Sequence, residues 1–207
     1  MTTNMERRAF LAAAFALGST PLLPMIARAQ NAREELSQDA ILRDPEVPAL
    51  GNPNGDVTLV EYFDYQCPYC KTQFPEIEAL VRQDGNIRLV MKDWPIFGPA
   101  SLYASRLALA AGQHHDKALR ALMATQARLS QEDVEAALTR AGFKIEALNA
   151  AYGRDRQRID GIIARNSSQA EQFGFMGTPA YIAGTTVFPG VPDMADMKKA
   201  IAEARAS

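Results

Sequence analysis

The sequence predicts an α/β fold in which a small sheet is assembled from strands near the two ends of the chain, with an all-helical subdomain inserted between them. Three observations predict it. Val57-Thr58-Leu59-Val60-Glu61-Tyr62-Phe63 is β-branched, aromatic and largely apolar, the pattern of a buried strand. Residues 98 to 174, roughly, carry apolar side chains at helical spacing. Strand signals return only at Ala180–Ala183 and Thr185–Phe188.

At the N-terminus, Arg7 and Arg8 precede an apolar run from Phe10 to Leu23, and Ala27-Arg28-Ala29 follows. A short basic start, an apolar middle and small residues before a cut are the parts of a secretory signal peptide, here 1–29, cleaved after Ala29. A retained membrane anchor is the alternative. The run is short for a span of about 20 residues, and Gly18, Ser19 and Pro21 interrupt it. Glu6-Arg7-Arg8-Ala9-Phe10-Leu11 also resembles a twin-arginine signal, with Glu6 and Ala12 departing from the usual residues. Cleavage removes three positive charges and one negative, taking the net charge from −2 to −4. There is no basic run, so no nucleic-acid partner is expected.

Residues 30–51 read as a short extension, in which Pro45 and Pro48 stop any helix. The main domain is placed at 52–207. After its first strand, Lys71 to Gln83 reads as a helix with Phe74, Ile77, Leu80 and Val81 on one face. A second strand is expected at Ile87–Met91. The helical block follows: Tyr103, Leu107 and Ala110 share a face, as do Ala118, Leu119, Leu122 and Met123. Ser130-x-x-Asp133 is a capping box opening a helix that Gly142 stops. Ile145, Leu148, Ile159, Ile162, Ile163, Ala170 and Phe173 continue the period. A last helix follows Asp193, with Met194, Met197, Ala200, Ile201 and Ala204 inward. His114 and His115 are assigned to an exposed loop between helices.

The chain has two cysteines, Cys67 and Cys70, in the run Cys67-Pro68-Tyr69-Cys70. A purely structural cross-link over so small a ring would contribute only about 2 kcal/mol in the loop-entropy model. A metal site would need further thiolates or imidazoles, and the two histidines are distant in sequence. Redox chemistry is the stronger reading. Pro68 suits the first position of a helix, which leaves Cys67 at the N-cap facing the free N–H groups of the first turn. Those donors and the helix dipole favour thiolate, so Cys67 is expected to be the nucleophile, with Cys70 resolving the mixed disulfide.

Glu61 is a lone charge in an apolar strand. It shares a face with Leu59 and Phe63, while Val60 and Tyr62 fill the other. A solvated strand end is one reading. With neither face polar, a partly buried acid beneath the cysteines is the other, able to relay a proton to Cys70. Lys92 is its candidate partner. Met91, Trp94, Phe97, Phe175 and Met176 are read as core for the most part, with an apolar apron around the cysteines as the alternative. Tyr69 is expected at the surface, where it can touch substrate and tune Cys67 as a leaving group.

Phe63-Asp64-Tyr65-Gln66-Cys67-Pro68-Tyr69-Cys70-Lys71, together with Gly177-Thr178-Pro179-Ala180-Tyr181, resembles the bacterial DsbA-like thiol:disulfide oxidoreductases, from about Asn52 to Arg205. The resemblance implies a thioredoxin-like fold with an inserted all-helical subdomain. It implies a cis Thr178–Pro179 bond across from Cys67, where a trans proline opening a strand is the plain alternative. The Thr178 backbone would then pair with an extended substrate segment. Glu61 falls on the family's buried acid position. The implied partners are reduced or misoxidised exported proteins and a DsbB-like or DsbD-like membrane redox partner. No cofactor and no metal are expected beyond the Cys67–Cys70 redox-active disulfide.

Three functions compete at this point: a periplasmic dithiol oxidase, a reductase or isomerase on the same fold, and a metal-handling module. Isomerases of this fold class associate through a segment ahead of the catalytic unit. Arg33–Arg43 offers too few apolar positions for a sustained heptad seam, so a monomer and an oxidase are expected.

Overall fold

The computed structural model describes residues 36–126 and 128–206. The expected signal peptide at 1–29, with Arg7 and Arg8, lies outside them. In chain order the elements are α1 (Gln38–Leu42), β1 (Ala49–Gly51), β2 (Val57–Phe63), α2 (Pro68–Asp84), β3 (Ile87–Asp93), α3 (Pro99–Ala110), a 3₁₀ turn (Gly112–His114), α4 (His115–Met123), α5 (Gln131–Arg140), α6 (Ile145–Gln172), β4 (Ala180–Ala183), β5 (Thr186–Phe188) and α7 (Met194–Ala206). No helix among the described residues is long and apolar enough to cross a membrane.

The strands form one mixed sheet in the order β1-β3-β2-β4-β5. β2 lies at its centre, parallel to β3 and antiparallel to β4. All seven β2 residues are buried, which explains why the sequence shows no polar face there. Val57, Leu59 and Phe63 pack on the side of α2, with Phe74, Ile77, Leu80 and Val81 of that helix and Met197, Ala200 and Ile201 of α7. Val60 and Tyr62 pack on the opposite side with Ile159, Ile162, Ile163 and Ala170 of α6. Four helices, α3 to α6, stand between β3 and β4 in sequence.

Local signals explain most boundaries. Gly85 ends α2 in the left-handed region (φ 74°), where a side chain would be strained. The Ser130–Asp133 capping box closes in both directions at the start of α5. α6 runs through a kink at Asp155, whose φ and ψ of −105° and 15° are not helical. The segment read as an extension contributes more than expected. α1 forms ahead of Pro45, capped by the Ser37 side chain, and Ala49–Gly51 becomes the sheet's edge strand on β3. Both are too short to leave a periodic signature.

The histidine pair is split. His114 is exposed in the 3₁₀ turn, but His115 opens α4 and is buried, contrary to its assignment to a loop. Burial without a hydrogen-bond partner for either ring nitrogen pulls its pKa down to about 4.

Candidate active site

α2 begins where the C-terminal end of β2 meets a short polar loop. Pro68 takes the first helical position and Cys67 the N-cap, with extended φ and ψ of −72° and 116°. The Cys67 Sγ accepts from the Cys70 N–H at 3.4 Å, and the thiol lies 3.2 Å from the Thr178 carbonyl oxygen. The Thr178–Pro179 bond is cis. Both cysteines are free thiols and buried, at 1% and 0% exposure.

The two thiols are electrostatically unlike. The Cys70 thiol donating to Cys67 is the largest influence on Cys67, and burial opposes it. The Thr178 side chain and the backbone N–H groups of Cys70 and Tyr69 add to the first effect, and the Cys67 pKa falls to about 6. Cys70 moves far the other way. Burial is the main cause, followed by its role as donor to Cys67 and by the nearby Glu61 charge. One sulfur is therefore a thiolate near neutrality, and its neighbour holds its proton.

Glu61 is completely buried, on the α2 side of β2 with Leu59 and Phe63. Desolvation raises it to about 8. The Tyr181 hydroxyl partly offsets this, and the Cys67 charge adds to it. The expected pairing with Lys92 does not form. In the parallel β2–β3 register Glu61 lies beside Met91, whereas Lys92 lies beside Tyr62 and so points to the other face. There the Lys92 Nζ donates to Gln169 Oε1 (2.9 Å) and to the Ala40 carbonyl (3.1 Å), and burial lowers its pKa to about 8. A one-residue offset along a strand reverses the face, and the sequence carries no register.

Tyr69 is 65% exposed at the mouth of the site. Of the residues considered for an apron, Met91, Trp94 and Phe175 are core, while Phe97 and Met176 are exposed at 51% and 98%. Among the described residues no group of three or more His, Cys, Asp or Glu side chains is assembled to hold a metal.

Sequence reasoning missed the residues that shape the loop before Cys67. Asp64 is 1% exposed and accepts three hydrogen bonds: from the Gln66 N–H (2.7 Å) and Ser101 Oγ (2.6 Å) on Oδ1, and from the Phe97 N–H (3.0 Å) on Oδ2. Its carbonyl accepts from the Cys67 N–H. Gln66 reaches Phe97 and Ser101 with its amide nitrogen and accepts from the Leu129 N–H. Lys71, just past Cys70, donates to the Leu122 carbonyl (2.7 Å) and Thr125 Oγ1 (2.8 Å) at the end of α4. The cysteine run is thus pinned on both sides to the helical block. An Asp two residues before a polar residue at a strand end is an Asx-turn signal, and it was the available clue. Asp64→Ala is expected to destabilise the protein by about 2–4 kcal/mol, because three donors, one buried and two part-buried, lose their acceptor. Urea denaturation measures this, and a loss under about 1 kcal/mol would show that water replaces the carboxylate.

The family model described as Thioredoxin matches residues 43–203. A thioredoxin-like oxidoreductase from Silicibacter pomeroyi DSS-3 is 35% identical and superposes with a TM-score of 0.78, over 83% of this chain and 99% of that one. The thiol-disulfide exchange protein alpha-DsbA2 of Wolbachia pipientis is 27% identical, with a TM-score of 0.74 over 86% and 97% of the two chains. The thiol:disulfide interchange protein DsbA of Bordetella pertussis is 27% identical over 195 residues, 84% of this chain and 82% of that protein.

Proposed function

Because the chain belongs to the thioredoxin family, as a thiol:disulfide oxidoreductase of the DsbA-like kind, we propose that it works in the periplasm as a dithiol oxidase of exported proteins. The observation that carries this reading is the contrast between Cys67, lowered to about 6, and Cys70, held protonated. A sulfur stabilised as thiolate is a good leaving group, and stabilising the dithiol form makes the disulfide form oxidising.

In this reading the oxidised protein carries a Cys67–Cys70 disulfide. A substrate thiolate attacks Cys67 Sγ, the Cys67–Cys70 bond breaks, and Cys70 leaves with the electron pair and takes a proton. Glu61, buried beside it, supplies that proton. A second substrate thiolate then attacks the substrate sulfur of the mixed disulfide. Cys67 leaves as thiolate, and the substrate departs with a new disulfide, two electrons poorer. Thr178 and Pro179 line the far side of Cys67, where the Thr178 backbone pairs with an extended substrate segment, and Tyr69 contacts that segment at the rim.

Reoxidation falls to a DsbB-like membrane partner; a DsbD-like partner would go with the reductive direction. Residues 1–29 serve as the export signal, and 52–207, with the helical insertion at 98–174, form the catalytic unit of a monomer. Two measurements test the proposal together. The expected results are rapid oxidation of reduced ribonuclease with little reactivation of scrambled ribonuclease, and a reduction potential for the Cys67–Cys70 couple well above that of a reducing thioredoxin, about −270 mV. Efficient reactivation of scrambled ribonuclease by a dimer or trimer in light scattering would overturn the oxidase assignment.

A further inference from the structure

Across the β2–β4 pair, Glu61 stands opposite Tyr181 in antiparallel register, on the same face of the sheet as the cysteines. Both residues are 0% exposed. Neither carboxylate oxygen of Glu61 and not the Tyr181 hydroxyl has a hydrogen-bond partner of normal geometry among the described residues. Two buried polar side chains directly across an antiparallel pair have Cβ atoms about 4.5–5.5 Å apart, and buried polar groups are rarely left without partners. Each is the natural complement of the other, since a phenol donates and a carboxylate only accepts.

We propose that Tyr181 is a positioning residue for the proton carrier of this site, its hydroxyl donating to the Glu61 carboxylate whenever Glu61 has given its proton to Cys70. The inference rests on the thiol–disulfide exchange reading and deepens it. When the Cys67–Cys70 bond breaks, the Glu61 proton passes to the departing Cys70 sulfur, giving a Cys70 thiol and a Glu61 carboxylate. No electrons beyond those of the broken S–S bond are involved. Without a donor, that transfer would leave a bare negative charge in a dry interior, a costly product. A Tyr181 O–H aimed at the carboxylate lowers the cost without giving up its own proton, because burial and the neighbouring negative charges push its own pKa far up.

The surroundings leave few other candidates. α2 presents Cys67 and Cys70 to Glu61, β4 presents Tyr181, β3 places the apolar Met91 beside it, and the buried residues of α7 are Met197, Ala200 and Ile201. Among the described residues no ion pair to the carboxylate forms, and Lys92 is on the opposite side of the sheet. Tyr181 is thus, among the described residues, the hydroxyl that faces the carboxylate in register, and Cys70 is the proton's destination.

Tyr181→Phe keeps the ring and removes the oxygen. The titration of Glu61, followed by ¹³C NMR of side-chain-labelled glutamate in the reduced protein, is expected to move up by about one pH unit, the size of one hydrogen bond to a charged group. Thiol–disulfide exchange is expected to slow by about tenfold at pH 7, with its Glu61-dependent limb displaced by the same interval. In a Glu61→Gln background, Tyr181→Phe should change the exchange rate by less than twofold. An unmoved Glu61 titration overturns the proposal, as does an equal slowing in both backgrounds, which would mark Tyr181 as structural only. Tyr181→Met serves as a second variant should the Phe protein fold poorly. The NMR titration needs no turnover, so a wild-type protein inactive in exchange would count against the exchange reading while the Glu61–Tyr181 coupling is still read directly.

Discussion

Cys67→Ser is expected to abolish thiol–disulfide exchange, and Cys70→Ser to leave the protein linked to its substrates. The two substitutions remove one sulfur atom each, three residues apart, yet their outcomes should be opposite. Cys67 caps α2 and carries the stabilised thiolate, so without it no mixed disulfide forms. Cys70 sits within the first turn of α2 and is held protonated, so it is not expected to react first. Without it, Cys67 still reacts with a disulfide, but the adduct cannot be resolved from within. Activity of the Cys67→Ser protein should fall to that of solvent. Cys70→Ser protein recovered from an exported-protein extract should run as high-mass adducts that collapse on reduction. Adducts of equal abundance from the two variants would show that the roles are shared.

The second large effect is on stability as a function of pH. Cys67 falls from an ordinary 9.0 to about 6 in the folded dithiol protein. A group whose folded pKa is depressed adds stability that is full above its unfolded pKa and is lost as pH falls through the folded value. The dithiol protein should therefore gain stability from pH 6 upward. The full interval corresponds to at most about 4 kcal/mol. Tyr69 beside the sulfur is open to water and Thr178 is partly so, and screening brings the expected gain between pH 5 and pH 8 to about 2 kcal/mol.

Glu61 works against this. Its folded pKa of about 8 exceeds its ordinary 4.5, so its share is full below 4.5 and is lost as pH rises through about 8. Glu61 is present in both redox forms, however, so subtracting the disulfide protein's stability from the dithiol protein's cancels its desolvation share and leaves the thiolate together with its coupling to Glu61. Cys70, raised far above its usual range, stays protonated throughout this window. Paired urea titrations at pH 5 and pH 8 measure the difference. A gap between the two forms that does not change with pH would remove the electrostatic basis for an oxidising disulfide.

Much of the architecture was legible because the chain writes strands and helices in different periods. β2 and the helices with strong apolar faces, such as α2 and α5, declared themselves. α1 and β1 did not, because five and three residues cannot display a period. At the site, Cys67, Cys70 and Pro68 were readable from helix-start chemistry alone, and Glu61 from being a charge on a strand with no polar face. Its neighbours were not readable. Whether Lys92 or Met91 meets Glu61 depends on the β2–β3 register, and whether Tyr181 does depends on β4 pairing with β2 after a long helical detour. Asp64 and Gln66 looked like ordinary loop residues because their partners, Phe97, Ser101 and Leu129, come from segments 31 to 63 residues away.

That long detour also sets the order in which the site can come into being as the chain is made. β2 and the whole of α2 leave the ribosome before the rest of the site, with Cys67 at the helix start. The strand that covers the free edge of β2 is β4, and it arrives only after α3 to α6 have been synthesised. Until then β2, buried along its whole length in the folded protein, has one row of unpaired backbone groups. Thr178, Pro179 and Tyr181 arrive with β4, so Cys67 is made 111 residues ahead of Thr178, which flanks it in the folded protein. Thiolate chemistry that depends on the whole constellation is therefore acquired only once β4 has been made, and a nascent chain that stops short of it carries the cysteine pair in a less developed form than the folded protein.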